Sequence, residues 1–275
     1  MEINATASNG SDISGFFGMS DSEKRSIARN YILFEALIYL HFGLAVFGYV
    51  PLWTFCLAVI VYIPRWMISL HEAQHFYTPK TINPITKHNL LVLTPFQLGY
   101  REMRDIHMRH HAHTAMEKDP EYYHIRGSWL SGYINVMFSP EQSVYFWIRD
   151  KGIDAELIKG MSIRFALFVA VVAAFGWQSL WYFIPVRIAY GTCLFWFSYC
   201  LHRKSGAYGT FQARYPDIMR RVMVFLYGET LFQSITEHDI HHDYPGIAGH
   251  RLKAARPFYT PRRAHRKPAA DAVAG

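Results

Sequence analysis

The chain has 275 residues, 51% of them apolar and 16% aromatic, and its charged fraction of 18% lies below the roughly 25% of an ordinary soluble domain. That mixture excludes a disordered chain, a collagen-like fibre and a disulfide scaffold, and a mean hydropathy of +0.01 requires any membrane segments to be gathered into blocks. The net charge of +7 sits in a few polar stretches, while Cys56, Cys193 and Cys200 lie inside apolar runs without metal-type spacing and read as small buried hydrophobes.

Residues 1–30 are polar, rich in Ser and Asn, and carry Glu23-Lys24-Arg25; no secretory signal is expected in them. A first membrane helix is predicted over 31–50, broken only by Glu35 and His41, and after Pro51 a second over 52–70, broken only by Arg65. Each matches the roughly 20 residues that cross about 30 Å of hydrocarbon. At a rise of about 1.5 Å per residue Glu35 and Arg65 fall at similar depths, which predicts an ion pair across this hairpin. A long polar-to-amphipathic stretch follows, in which 90–98 and 129–147 suit re-entrant or interfacial helices. A second hairpin is predicted from 158–175 and 179–201, turning at Gly176-Trp177; Pro185 and Arg187 are unusual at that depth, and the sequence offers Arg187 no partner. Residues 218–235 are long enough for one further helix, and a flexible basic tail follows Pro257.

Neither tight turn carries Lys or Arg, so the positive-inside rule puts both termini and the central region in the cytoplasm. The expected fold is therefore an all-α integral membrane protein: four transmembrane helices in two hairpins, with a cytoplasmic helical cap. The organisation is a polar segment over 1–30, a single membrane domain over 31–252 and a basic tail over 253–275.

The fifteen histidines are the strongest signal. HEAQH at 71–75 is an i, i+4 pair, and HMRHH at 107–111 and HDIHH at 238–242 are i, i+3, i+4 triples, spacings that put every imidazole of a cluster on one helix face. All three clusters fall on the expected cytoplasmic side, as does His202 at the end of the last membrane helix. These nine imidazoles exceed what one tetrahedral zinc can use. Two six-coordinate ions with positions left for oxygen suit the count, with iron as the metal. Glu72, Glu237 and Asp239, with Asp243, flank the ligands and are expected to accept hydrogen bonds that orient the rings. His41, His88, His124, His250 and His265 read as structural or solvated, and His113 points to a different helix face.

The pattern HxxxH, HxxHH and HxxHH, set between two apolar hairpins, resembles the membrane fatty acid desaturase and hydroxylase superfamily over about 32–252. HMRHHAHT with Asp119 resembles the family's second box, HDIHHDYPGI with Arg251-Leu252 its third, and His202 the extra histidine after the fourth membrane helix. The resemblance implies a non-haem diiron centre held by His71, His75, His107, His110, His111, His202, His238, His241 and His242, with O₂ as co-substrate and no catalytic residue apart from the centre. Ser198, where acyl-CoA desaturases carry Asn, and the three-residue spacing of the first box lean towards acyl-lipid desaturases, hydroxylases or carotenoid ketolases. The reaction implied is desaturation or hydroxylation of an unactivated C–H bond in a lipid acyl chain or similar hydrophobic molecule. With no cytochrome b5 domain visible, electrons must come from a separate ferredoxin, rubredoxin or cytochrome b5 type protein; no nucleic-acid partner is expected. A substrate tunnel is expected past Trp66, Phe96, Trp196 and Tyr227.

Two rivals use the same residues. HEAQH also satisfies HExxH, with Glu72 as the base of an intramembrane zinc protease, but that reading leaves both HxxHH clusters unused. A metal transporter would need ionisable residues along the whole membrane path, whereas here they gather at one end.

Overall fold

A computed structural model describes residues 12–262. Residues 1–11 and 263–275, which include His265 and most of the expected tail, lie outside the described residues.

The first long helix, α1 (Asp21–Val46), starts ten residues before the apolar run. A reciprocal cap sets that start: the Glu23 carboxylate accepts from the Ser20 amide at 2.7 Å, and the Ser20 hydroxyl accepts from the Glu23 amide at 3.3 Å. After Pro51 the chain returns as α2 (Leu52–Phe76), with Phe42 against Phe55 at 5.4 Å between ring centroids. Ile38, Phe42, Phe55, Ile63, Trp66 and, from a later helix, Tyr182 form the main apolar core.

The second hairpin is α7 (Ala155–Phe175) and α8 (Leu180–Phe195). Gly176, at φ +54°, takes the left-handed turn that folds one back on the other, bringing Phe168 and Phe183 to 5.0 Å. Leu52–Phe76 and the run Ala155–Cys200 are long and apolar enough to cross a membrane. Large apolar side chains face outward on both hairpins, among them Leu40, Trp53, Leu57, Val169, Trp177 and Ile184.

Shorter helices pack against these: α3 (Pro84–His88), α4 (Tyr100–His113), α5 (Trp129–Met137), α6 (Ser139–Lys151), α9 (Asp217–Tyr227), α10 (Glu229–Thr236), α11 (His238–Asp243) and α12 (Leu252–Ala255). A two-stranded hairpin, β1 (Arg203–Lys204) and β2 (Ala207–Tyr208), follows α8.

Several sequence expectations are corrected. Residues 90–98 are not helical: Pro95 is incompatible with a helix interior, and the stretch is irregular, with bends at 93–96, and largely buried. Side chains satisfy its backbone, with Gln97 bonded to the Leu93 amide at 2.8 Å and the Leu91 carbonyl at 2.6 Å, and Arg164 to the Gln97 carbonyl at 2.8 Å. Residues 218–235 break into α9 and α10 at Gly228, whose φ of +89° no helix permits. Glu35 and Arg65 are not paired. Arg65 reaches α9, donating to the carbonyls of Leu226 at 2.6 Å and Phe225 at 3.0 Å, and lies over the Phe34 ring. Glu35, next along α1 and so about 100° around it, is buried against the backbone of Leu90 and Leu91 instead. Arg187 does have partners, the Glu141 carboxylate and the Met137 carbonyl.

Candidate metal centre

The centre forms where α2 ends. Tyr100, at the start of α4, donates its hydroxyl to the Ala73 carbonyl at 2.7 Å and the Tyr77 carbonyl at 3.1 Å, and Arg104 donates to Tyr77 at 2.9 Å. The Ala73 carbonyl also accepts the Tyr77 amide at 2.9 Å, so it is shared between the end of α2 and Tyr100, and these bonds dock α4 on the end of α2. His107 and His111 then face His75, each with ring centroids 4.7 Å away. Helix α11 supplies His241, 4.6 Å from His71 and 4.8 Å from His75. The ligand atoms of His71, His75, His107, His111 and His241 all lie within 4.8 Å of one another.

A second group, His110, His202 and His242, meets the same limit. His238 joins it, with Nε2 at 3.1 Å from His202 Nε2 and its ring 4.5 Å from that of His242. The groups are adjacent because His110–His111 and His241–His242 are neighbours in sequence and point to opposite sides. The structure thus brings together the eight imidazoles singled out by spacing and His202, singled out by its place at the end of an apolar run. His113 stands apart at the end of α4.

Hydrogen bonds fix the second group's orientation. His202 Nδ1 donates to the Gly209 carbonyl at 2.9 Å and His238 Nδ1 to the Ser234 carbonyl at 3.0 Å. Each carbonyl can only accept, so each Nδ1 carries the proton and each Nε2 lone pair faces inward. Thr114 gives its hydroxyl proton to the His110 carbonyl at 2.7 Å and accepts from His242 Nδ1 at 2.9 Å. His110 Nδ1 donates to both oxygens of Asp119, at 2.9 and 3.0 Å. Asp119 is held in turn by the amides of Ala115 and Glu121.

Burial, with repulsion from neighbouring rings, holds His107, His111, His202, His241 and His242 well below the ordinary imidazole range, and burial takes His238 down to about 3. The rings are therefore neutral near pH 7, the form that binds metal. The donor set fits a metal. Neither nitrogen of the buried His241 has a hydrogen-bond partner, nor does Nδ1 of His71 or His111. Imidazole nitrogens at about 2.1 Å from one ion lie about 3 Å apart when they subtend a right angle; His75–His107 at 2.9 Å and His107–His111 at 3.2 Å match that spacing.

The acidic residues differ from expectation. Glu72 accepts from the Gly249 amide at 3.0 Å, and its other oxygen is 3.6 Å from His71 Nδ1, too long for a hydrogen bond. Glu237 and Asp239 hold Arg256, at 2.6 Å from its Nε and 2.7 Å from its Nη1. They leave the rings alone because positions 237 and 239 fall off the helix face that carries 238, 241 and 242. Asp243 accepts from the Tyr259 hydroxyl. The residues that do orient rings are Asp119, Thr114, Ser234 and Gly209, of which only Asp119 had a sequence signal, its place just after the second box.

A cavity of about 120 Å³ opens on the centre, walled by Trp66, Leu70, Met103, Ile106, Tyr190 and Leu194 on its apolar side. Gln74, Glu121, His124 and Ser198 also line it. Of the two readings left open for His124, structural or solvated, burial leaves the first: it is 1% exposed with neither ring nitrogen hydrogen-bonded, and burial lowers it to about 3. Of the expected tunnel residues, Trp66 lines this cavity and Trp196 and Tyr227 line a neighbouring groove, whereas Phe96 is half-exposed and stacks on Phe165.

The sequence profile of the fatty acid desaturase family matches residues 47–270, a span that holds all nine imidazoles. No curated protein matches the chain.

Proposed function

From the chain's membership of the fatty acid desaturase family, we propose that it is a membrane oxidoreductase that uses two irons to oxidise an unactivated C–H bond of a lipid acyl chain or similar hydrophobic substrate with O₂. The observation that carries this reading is the pair of adjacent imidazole groups beneath one small and largely apolar cavity. When bound, two irons supply O₂ reduction and hydrogen removal, and desaturation and hydroxylation differ only in the fate of the carbon radical. The residues provide the rest. Asp119, Thr114, Gly209 and Ser234 fix which nitrogen of each ring is a lone pair. Trp66, Leu70, Met103 and Ile106 exclude water and hold the chain against the centre.

In this reading α1, α2, α7 and α8 span the membrane and the centre lies on the cytoplasmic side. The uncharged turns between the paired helices and the outward apolar side chains support it, with Tyr49, Trp53, Trp177 and Trp181 near the turns as an aromatic belt. Electrons come from a separate carrier of ferredoxin, rubredoxin or cytochrome b5 type. Metal analysis of the purified protein, with mass spectrometry of host lipids with and without expression, tests the proposal. Two irons per chain and a new unsaturated or oxygenated lipid are expected. One zinc, or peptide hydrolysis lost in Glu72→Gln, overturns it.

A further inference from the structure

The turn that follows Asp119 carries two polar side chains that the metal centre does not use. Its backbone is fixed: the His124 amide donates to the Glu121 carbonyl at 2.9 Å, the Ile125 amide to the Tyr122 carbonyl at 3.1 Å, and Asn135 of α5 to the Tyr123 carbonyl at 2.8 Å. Asp119 ties the same turn to His110. A group bound by Glu121 and His124 is therefore held at a set distance from the imidazoles.

Glu121 lines the metal cavity, and 22% of its side chain is accessible although the residue lies deep in the protein. Its carboxylate accepts no hydrogen bond among the described residues. The ring nitrogens beside it, Nδ1 of His110 and Nδ1 of His124, are 3.8 and 3.9 Å away, too far for one. His110 already spends that proton on Asp119. Burial pushes the Glu121 carboxyl above the ordinary range, as it does for a charge without a partner. His124 is equally bare, with neither ring nitrogen hydrogen-bonded. Buried polar groups are normally paired, and an unpaired one costs stability. Asp119, two residues before Glu121, gives the contrast, since two amides and one ring satisfy it.

We propose that Glu121 and His124 form a binding site for a hydroxyl group, and that the substrate is a hydrophobic alcohol whose hydroxyl is fixed beside the metal centre. The word substrate rests on the oxidase reading; the binding does not. One oxygen about 2.8 Å from each partner subtends roughly a right angle across their 3.9 Å gap, close to the angle between a hydroxyl's donor and acceptor directions. It gives its proton to the carboxylate and accepts from the imidazole N–H. A carbonyl has no proton to give the carboxylate, and an ammonium cannot accept from the ring. Leu70, Met103 and Ile106, in the same cavity, take the carbon skeleton.

The test uses the full chain, loaded with metal, in phosphatidylcholine nanodiscs, with three tritiated probes on one skeleton: hexadecan-2-ol, hexadecan-2-one and hexadecane. Saturable binding that favours the alcohol is expected. Glu121→Leu is expected to weaken alcohol binding about 10- to 100-fold, the range of a hydrogen bond to a charged group, and to leave hydrocarbon binding unchanged. Comparing variants in the same membrane cancels each probe's partition into lipid. Glu121→Gln keeps an acceptor and is expected to recover part of the loss. His124→Phe, or His124→Leu should the first fail to fold, is expected to cost about 2- to 10-fold. Because the Glu121 side chain bonds nothing within the chain, Glu121→Leu is expected to keep its metal and to melt no lower than wild type. Metal loss in that variant assigns the carboxylate to the centre and overturns the proposal, as does a preference for the ketone or an equal effect on alcohol and hydrocarbon. Undiminished alcohol binding in the His124 variants removes that residue from the site. Alcohol-selective binding in a protein that oxidises neither lipid nor alcohol leaves the site standing and removes the oxidase reading; lipid oxidation with a selectivity untouched by Glu121→Leu does the reverse.

Discussion

Asp119 takes both of its oxygens to within 3.0 Å of His110 Nδ1, while Glu237, one residue before a candidate ligand, spends its carboxylate on Arg256. A partner that orients a metal-binding ring typically contributes about 10–100-fold to metal affinity or activity. Asp119→Asn should therefore lose its bound metal to a chelator about 10–100 times more readily, because an amide offers one acceptor where the carboxylate offers two. Glu237→Gln should keep its bound metal and lose only some stability; equal metal loss in both would restore the sequence-based role of Glu237. The contrast shows what was legible. Eight of the nine imidazoles could be picked out because helical spacing is a local rule, and i, i+3 and i+4 positions share a face in any helix; His202 was marked only by its place at the end of an apolar run. Their partners could not. Gly209 returns through a hairpin turn at Ser205-Gly206, and Ser234 contributes a main-chain carbonyl, which every residue has.

At the scale of elements, the apolar runs fixed where the long helices lie but not how they end. Helix α1 gains its first turns from the Ser20–Glu23 cap, and α8 is prolonged by a π-turn that no hydropathy pattern marks. The joint between α2 and α4 decides the centre, since it sets His75 against His107. Tyr100 is fully buried, and its hydroxyl closes that joint through two carbonyls. Tyr100→Phe keeps the ring and removes one donor from carbonyls that retain another, the Tyr77 amide on Ala73 and Arg104 on Tyr77, at a cost of about 0.5–1.5 kcal/mol. A fall in Tm of about 2–4 °C for each kcal/mol is expected in detergent, together with weaker iron retention because α4 is less firmly seated. An unchanged Tm would show that Arg104 alone holds the joint.

Across the whole molecule, charges that the sequence places in apolar surroundings are resolved by distant partners: Arg65 by α9, Arg164 by residues 88 and 97, Arg187 by Glu141 and Met137. Such pairings need the tertiary fold and so escape local reading. The same holds for the described part of the N-terminal segment, read from the sequence only as polar, which binds the loop behind the third histidine cluster. The Gly18 amide donates to the Gly246 carbonyl at 2.9 Å, and Glu23 meets Arg251 at 2.5 Å and His250 at 3.0 Å. Partial burial alone would raise the Glu23 carboxyl, but the Ser20 hydrogen bonds and the Arg251 guanidinium outweigh it and hold the group at about 2, against 4.5 when free. A carboxyl lowered in the folded state binds protons more weakly there than in the unfolded chain. Its stabilising contribution is thus complete above about 4.5 and is lost as pH falls towards about 2. Glu23→Gln should accordingly melt below wild type at pH 7, and the gap should narrow steadily as pH drops below 4.5. Hydrogen exchange at the Gly18 amide should speed up in the variant at pH 7, because the ion pair and the strand contact clamp the same segment. His250 is the other titratable group facing Glu23, so the series is repeated in His250→Gln; a gap that stays constant with pH in that background would mean that the Glu23 carboxyl is not held low in the folded protein.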